Sequence, residues 1–257
     1  MPTESITLSL IIPAYNEAAR LPPYLATVRT GLDAEYGPHY EVLVVDDGSD
    51  DGLADAMARL APEWPQLRML RHAQNRGKGA AVRSGMLAAN GRLLLFADAD
   101  GAAPIEEQGR LAEAIQAGAD LAVGSRLLPA SGVRRVRSAG RGLAGRLFAA
   151  VARRLLQLPL RDTQCGFKMF RAEVGRRLFA ITRESRYLFD LELLTTARRL
   201  GYRIVEVPIS WREVPGGHMN PLLELPSILV GLWRLRRLIT TSCEPGGGQT
   251  VRPPARP

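Results

Sequence analysis

Apolar, β-branched runs recur along the 257-residue chain at Ile6–Ile12, Glu41–Val45, Leu67–Leu70, Arg92–Phe96, Asp120–Val123 and Arg203–Ile209. Between most of them the apolar positions fall at helical spacing, over Asn16–Thr30, Asp51–Leu60, Gly79–Ala89 and Ile105–Ala117. Short buried runs bounded by turn residues read as strands, and the 3.6-residue pattern reads as amphipathic helix. Strand, helix and strand in this rhythm predict crossover units, hence an α/β fold with a mostly parallel central sheet. Crossovers are right-handed, so the carboxyl ends of the strands share one edge, where ligands of open α/β sheets bind. There is no internal repeat. The pattern predicts a single domain over 1–243, and the Gly/Pro-rich tail EPGGGQTVRPPARP, 244–257, cannot bury enough apolar surface to order itself.

Two further stripes have helical spacing. Leu143, Leu147, Val151, Leu155 and Leu158 are flanked by Arg146, Arg153 and Arg154, within a helix expected over 140–157. A C-terminal amphipathic helix expected over 222–241 carries Ile228, Leu229, Leu232, Trp233, Leu235 and Ile239 beside Arg234, Arg236 and Arg237. Both suit a helix lying in a membrane interface, and both equally suit a helix facing the core. No apolar run approaches the ~20 residues of a membrane span. The start, MPTESITLSLIIPAYNE, has no basic region or small-residue cleavage site and reads as a first strand, not a leader.

Charge sharpens this picture. The net charge is +8, but residues 1–125 carry a balance of −7 and residues 126–257 one of +15. The first half is suited to hold a cation, the second to meet phosphates or an anionic membrane surface. A basic nucleic-acid-binding protein is the competing class. The confinement of the positive charge to one half, the low aromatic content and the lack of a helix-turn-helix or RNA-binding signature argue for no nucleic acid. Two distant cysteines, Cys165 and Cys243, need not pair, which fits a reducing compartment. Lysine is scarce, and Lys78 and Lys168 are the two in the chain.

The strand ends carry the chemistry. The first runs into Pro13-Ala14-Tyr15-Asn16-Glu17, the second into Asp46-Asp47-Gly48-Ser49-Asp50-Asp51, and the fourth into Asp98-Ala99-Asp100. Carboxylates crowded on one edge repel, and a divalent cation shared with substrate phosphates relieves them. A lone Asp-x-Asp occurs by chance, and a strand-end Asp is often a helix cap. The second acidic strand end shifts the balance toward a metal half-site. Asn75-Arg76-Gly77-Lys78-Gly79 opens a helix, where backbone N–H groups and the dipole favour an anion; the bland reading is a capped surface turn.

These motifs, IIPAYNE, VVDDGSDD, NRGKGAAVRSG and FADAD, followed by VGSR, RDTQCGFKMF and FDLELL, resemble the inverting, nucleotide-sugar-dependent GT-A glycosyltransferases of family 2, and among them the polyprenyl-phosphate sugar synthases. The resemblance implies a GT-A nucleotide-sugar-binding domain. Pro13, Tyr15, Glu17, Asp47, Asn75, Lys78 and Asp98 would bind the nucleotide sugar, and Asp98 and Asp100 a Mg2+ or Mn2+ ion. Asp98, Asp100 and Lys78 are the expected catalytic residues. Arg126, Arg135 and Ser138 would receive the acceptor phosphate. Asp162, Gln164, Lys168, Asp190 and Glu192 fall in family motifs without an assigned role, and His218 stands where relatives tend to carry lysine. Gly101 and Ala102 follow the acidic pair where mannosyl relatives carry Leu-Gln. That favours UDP-glucose over GDP-mannose as donor, and a polyprenyl phosphate as acceptor. The lipid acceptor that the resemblance implies, taken with the lack of a run long enough to span a membrane, leads to the expectation of a cytoplasmic enzyme, peripheral on the cytoplasmic face of a membrane, with a membrane-protein partner a further expectation. The alternatives are a nucleotide-sugar transferase acting on a hydroxyl acceptor, with Glu192 or Asp190 as general base, and a binding module without turnover.

Overall fold

The computed structural model describes residues 5–136 and 156–214. In chain order the described elements are β1 (Leu8–Ala14), α1 (Leu21–Tyr36), β2 (Tyr40–Asp46), α2 (Leu53–Leu60), β3 (Leu67–Arg71), α3 (Lys78–Ala88), β4 (Leu93–Ala97), α4 (Gln108–Gln116), β5 (Leu121–Ser125), β6 (Arg135–Val136), β7 (Phe167–Arg171), α5 (Ala172–Ile181), α6 (Phe189–Arg199), β8 (Ile204–Pro208) and β9 (Trp211–Arg212). The main sheet has the order β3-β2-β1-β4-β7-β5-β8, and β6 and β9 form a separate parallel pair.

Every residue of β1, LSLIIPA, is buried. A strand that is apolar on both faces belongs in the middle of a covered sheet. β1 runs parallel to β2, with Ile12 opposite Val44, and to β4, with Ile11 opposite Phe96. Helices cover both faces. Leu10 and Ile12 pack with Leu25 and Val28 of α1 and Leu111 of α4. Ile11 and Phe96 pack with Val82 and Met86 of α3, Leu178 of α5 and Leu191 of α6.

Each of the six strands and four intervening helices expected from the alternating pattern is present, displaced by a few residues. α1 begins at Leu21, not Asn16, because Pro22 and Pro23 occupy its first turn, where a missing N–H costs nothing. β7 was not anticipated. It lies antiparallel to both β4 and β5, the one antiparallel strand of the described main sheet. Its sequence FKMFR carries a lysine amid apolar residues, so periodicity does not announce it. The stripe over 140–157 is described only at its end, where Leu156 and Leu158 are buried in the core. The stripe over 222–241, the tail, Cys243, Ser138 and His218 lie outside the described residues. Among the described residues no helix is long and apolar enough to cross a membrane.

Candidate active site

Because β2, β1 and β4 are neighbours and parallel, their carboxyl ends converge on one edge. A cleft of about 410 Å³ opens there, lined by Pro13, Tyr15, Glu17, Asp47, Asn75, Lys78, Asp98 and Asp100 among others. All eight positions expected to meet the nucleotide sugar or a metal therefore share one cavity. The Asp46–Ser49 turn ties the ends of β1 and β2 together: the Ser49 amide donates to Asp46 Oδ1 (2.8 Å), and the Asn16 amide donates to the Ser49 hydroxyl (3.0 Å). Asn16 sits at φ 55°, a left-handed conformation that asparagine tolerates well.

Lys78 and Asp98 form the centre of the cleft. The ammonium Nζ lies 2.6 Å from Asp98 Oδ1 and 5.3 Å from the centroid of the Phe96 ring. Burial works against the charge of Lys78, but Asp98, Asp190 and Asp100 around it outweigh burial and hold its pKa above the usual value. Asp98 is locked from behind by the loop before β7, where its amide donates to the Gly166 carbonyl (3.0 Å). A Cβ on Gly166 would lie 2.0 Å from Asp98 Oδ2, so only glycine leaves that carboxylate its place. Asp100 accepts the Ala102 amide at 3.0 Å, and burial, reinforced by Asp98, raises its pKa. That repulsion is the kind a cation relieves. Among the described residues no group of three or more His, Cys, Asp or Glu side chains could hold a metal ion unaided. Two oxygen donors on a phosphate-sized cleft fit a Mg2+ or Mn2+ ion whose remaining ligands come from substrate and water.

Asp47 has a different occupation. Its Oδ1 accepts the Arg76 amide (3.0 Å) and lies 2.6 Å from His72 Nδ1, and its Oδ2 accepts the Gly77 amide (2.8 Å). His72 Nε2 in turn lies 2.9 Å from the Ser84 hydroxyl on α3. Asp47 thus fastens the Asn75–Lys78 loop to the end of β2. Gly77, at φ 95°, is also covered from above: its Cβ would meet the Ser185 carbonyl at 2.4 Å. The segment 183–187 is itself pinned by Glu192, whose Oε2 accepts the amides of Arg183 (2.9 Å) and Glu184 (2.6 Å). Glu192 is buried, not a charge on the helix surface.

Among the described residues, the remaining expected ones do not line the cleft. Arg126 is clamped by Asp162 through Nε (2.7 Å) and Nη2 (2.8 Å) and lies 5.5 Å over the Trp211 ring. Burial disfavours both charges, yet each holds the other ionised, so the Arg126 pKa is raised and that of Asp162 lowered. Arg135 donates to the carbonyls of Leu128, Ser125 and Ile209 and staples that loop. Lys168, fully buried on β7, pairs with Asp190 at 2.6 Å. Gln164 Nε2 is buried and has no hydrogen-bond partner among the described residues. Burial pushes the Cys165 thiol up to about 12, which leaves it unreactive near neutral pH. Sequence reasoning missed Arg20, His72, Arg186 and Tyr187. The three-residue spacing from Glu17 signals Arg20, which binds Glu17 through Nε at 2.7 Å. Arg186 and Tyr187 line the cleft immediately before the FDLELL motif.

Comparison with known proteins shows the family. The glycosyl transferase family 2 pattern matches residues 9–179. The dolichyl-phosphate beta-glucosyltransferase of Dictyostelium discoideum is 33% identical over 259 residues, covering 91% of this chain and 79% of that protein. Its Drosophila melanogaster counterpart is 36% identical over 254 residues, covering 90% of this chain and 78% of that protein. Among solved structures, glucosyl-3-phosphoglycerate synthase from Mycobacterium tuberculosis, in complex with Mn2+ and uridine-diphosphate-glucose, superposes with a TM-score of 0.63 at 22% identity, covering 90% of this chain and 78% of that one. At that identity the likeness is one of fold.

Proposed function

The chain belongs to glycosyl transferase family 2, and from this premise we propose that it transfers glucose from UDP-glucose to a polyprenyl phosphate of the dolichyl type, with inversion at the anomeric carbon. The observation that carries the reading is the Lys78–Asp98 pair beside Asp100, in the same cleft as an exposed aromatic ring, Tyr15. A base can stack on Tyr15, and the diphosphate then reaches Lys78 and the acidic pair. A phosphomonoester is largely dianionic at neutral pH, since its second pKa is about 6. Its oxygen attacks C1 of glucose as the bond from C1 to the diphosphate oxygen breaks, and UDP leaves from the opposite face. Such a nucleophile needs no protein base, unlike a hydroxyl. The two carboxylates expected to serve a hydroxyl acceptor are engaged: Glu192 holds two backbone amides and Asp190 pairs with Lys168. The chain's part is to align the reactants and to neutralise the negative charge growing on the leaving group, for which Lys78 and Arg20 line the cleft. Asp98 and Asp100 would hold a Mg2+ or Mn2+ ion, which when bound supplies further neutralisation at the diphosphate.

The acceptor phosphate sits at a bilayer surface, so the enzyme works as a peripheral protein on the cytoplasmic face of a membrane. The positive balance of residues 126–257 supports that placement. Competition assays test the assignment. UDP-glucose should outcompete GDP-mannose as donor, and polyprenyl phosphate should accept sugar where the corresponding free polyprenol does not. Transfer to the free alcohol at a comparable rate would move the protein to the hydroxyl-acceptor class.

A further inference from the structure

Among the described residues the cleft is lined by four carboxylates, Glu17, Asp47, Asp98 and Asp100, and by three cations, Arg20, Lys78 and Arg186. Most of these charges are already matched. Arg20 is held by Glu17 and Lys78 by Asp98, while Asp47 accepts two backbone amides. Arg186 differs: its side chain is exposed and has no carboxylate partner among the described residues. Its backbone, by contrast, is closely fixed. The Arg186 amide donates to Glu184 Oε1 (3.0 Å), and Glu192 holds the two amides at the start of the segment. The Ser185 carbonyl accepts the Ala80 amide (3.2 Å), and the Glu184 carbonyl accepts Arg83 Nη2 (3.1 Å). The stem of Arg186 crosses directly over Gly77, where a Cβ would come within 3.2 Å of its Cγ. A fixed backbone thus brings an arginine with no carboxylate partner among the described residues over Gly77, the residue before Lys78, in the same cleft.

We propose that Arg186 is a further binding residue for the diphosphate of the donor and of the released nucleoside diphosphate, and that Glu192 is its positioning residue. The inference rests on the nucleotide-sugar reading given above. A guanidinium meets phosphate oxygens with two parallel N–H donors, which a lysine cannot reproduce. Cleavage of the bond to C1 leaves an additional negative charge on the departing diphosphate, so a cation without an internal partner is of most use there. This arrangement also accounts for the glycine at position 77 and for the burial of Glu192, neither of which the acidic half-site requires.

Calorimetric titration of UDP, GDP and uridine into the full chain with Mn2+ present tests it. Arg186→Gln should weaken UDP about tenfold to a hundredfold, the loss expected for a charged hydrogen bond, and leave uridine within about twofold. Arg186→Lys should recover part of the loss. Glu192→Leu should weaken UDP in the native background and add little to Arg186→Gln. Unchanged UDP affinity in Arg186→Gln, or an equal loss for uridine, overturns the proposal. Arg186 is exposed, so its variants keep the fold and decide the matter even if Glu192→Leu unfolds. If the native chain binds GDP and not UDP, the UDP-glucose reading fails and Arg186 is judged on GDP against guanosine. If it binds neither diphosphate, the proposal falls with that reading.

Discussion

Single atoms decide two features of this site. The Gly166 α-carbon stands so close to Asp98 that a methyl group would overlap Oδ2 at 2.0 Å. In Gly166→Ala the partly exposed carboxylate must swing away, breaking its pair with Lys78. Turnover should fall at least about tenfold, one lost charged contact, while the melting temperature changes little. An unchanged kcat would show that the placement of Asp98 is not used. Arg126 and Asp162 behave oppositely, as a structural pair. Arg126→Ala leaves a buried carboxylate without its partner, a loss of about 3 kcal/mol, the low end for breaking a buried pair because Arg126 keeps some solvent. For a domain of this size that lowers Tm by roughly 6–12 °C, readable by calorimetry. The pH dependence has a definite sign. Asp162 is held below the ordinary carboxylate pKa of about 3.9, so the pair's stabilisation is complete above that value and disappears as pH falls through the lower folded value. Asp162→Asn should therefore flatten the acid limb of the stability curve. A Tm unmoved by Arg126→Ala would instead leave that arginine for the acceptor phosphate.

At the scale of elements, the loop before α3 matters most. It is tied from below by Asp47 and covered from above by the segment ahead of α6. Gly77→Ala combines a left-handed φ of 95° with a 2.4 Å overlap against the Ser185 carbonyl. It should raise the donor KM about tenfold or more, as expected for one lost charged contact, and leave the acceptor KM unchanged, as steady-state kinetics would report. The parallel strands, their common edge and the cleft residues were legible because period and strand-end chemistry are local properties of the chain. What was not legible depends on long-range packing. FKMFR became an antiparallel strand through its pairing with β4 and β5. Asp47 reads as a free ligand until the amides of Arg76 and Gly77 are brought to it, and Glu192 reads as a surface charge until the turn 183–184 folds back over it. Arg186 carries no motif of its own, and only the fold sets it beside Lys78.

Charge is divided along the chain: the described cleft is lined almost wholly by residues of the acidic first half, and the basic second half is the one we propose meets an anionic membrane. Binding to vesicles containing anionic lipid should therefore weaken as salt shortens the screening length from about 10 Å at 0.1 M to 3 Å at 1 M. Co-sedimentation that does not depend on salt would contradict this. The proposed transfer of glucose to a lipid phosphate rests on the carboxylate pair and Lys78. The most direct measurement incubates the full chain with UDP-glucose labelled in the sugar, polyprenyl phosphate and Mg2+ or Mn2+, and follows the label into the organic phase. A β-linked glucosyl phosphate lipid should form, with one UDP released per glucose transferred, and Asp100→Asn should give no product although it melts like the native chain. Label that stays in water, an α-linked product, or full activity in Asp100→Asn or in excess chelator would contradict it.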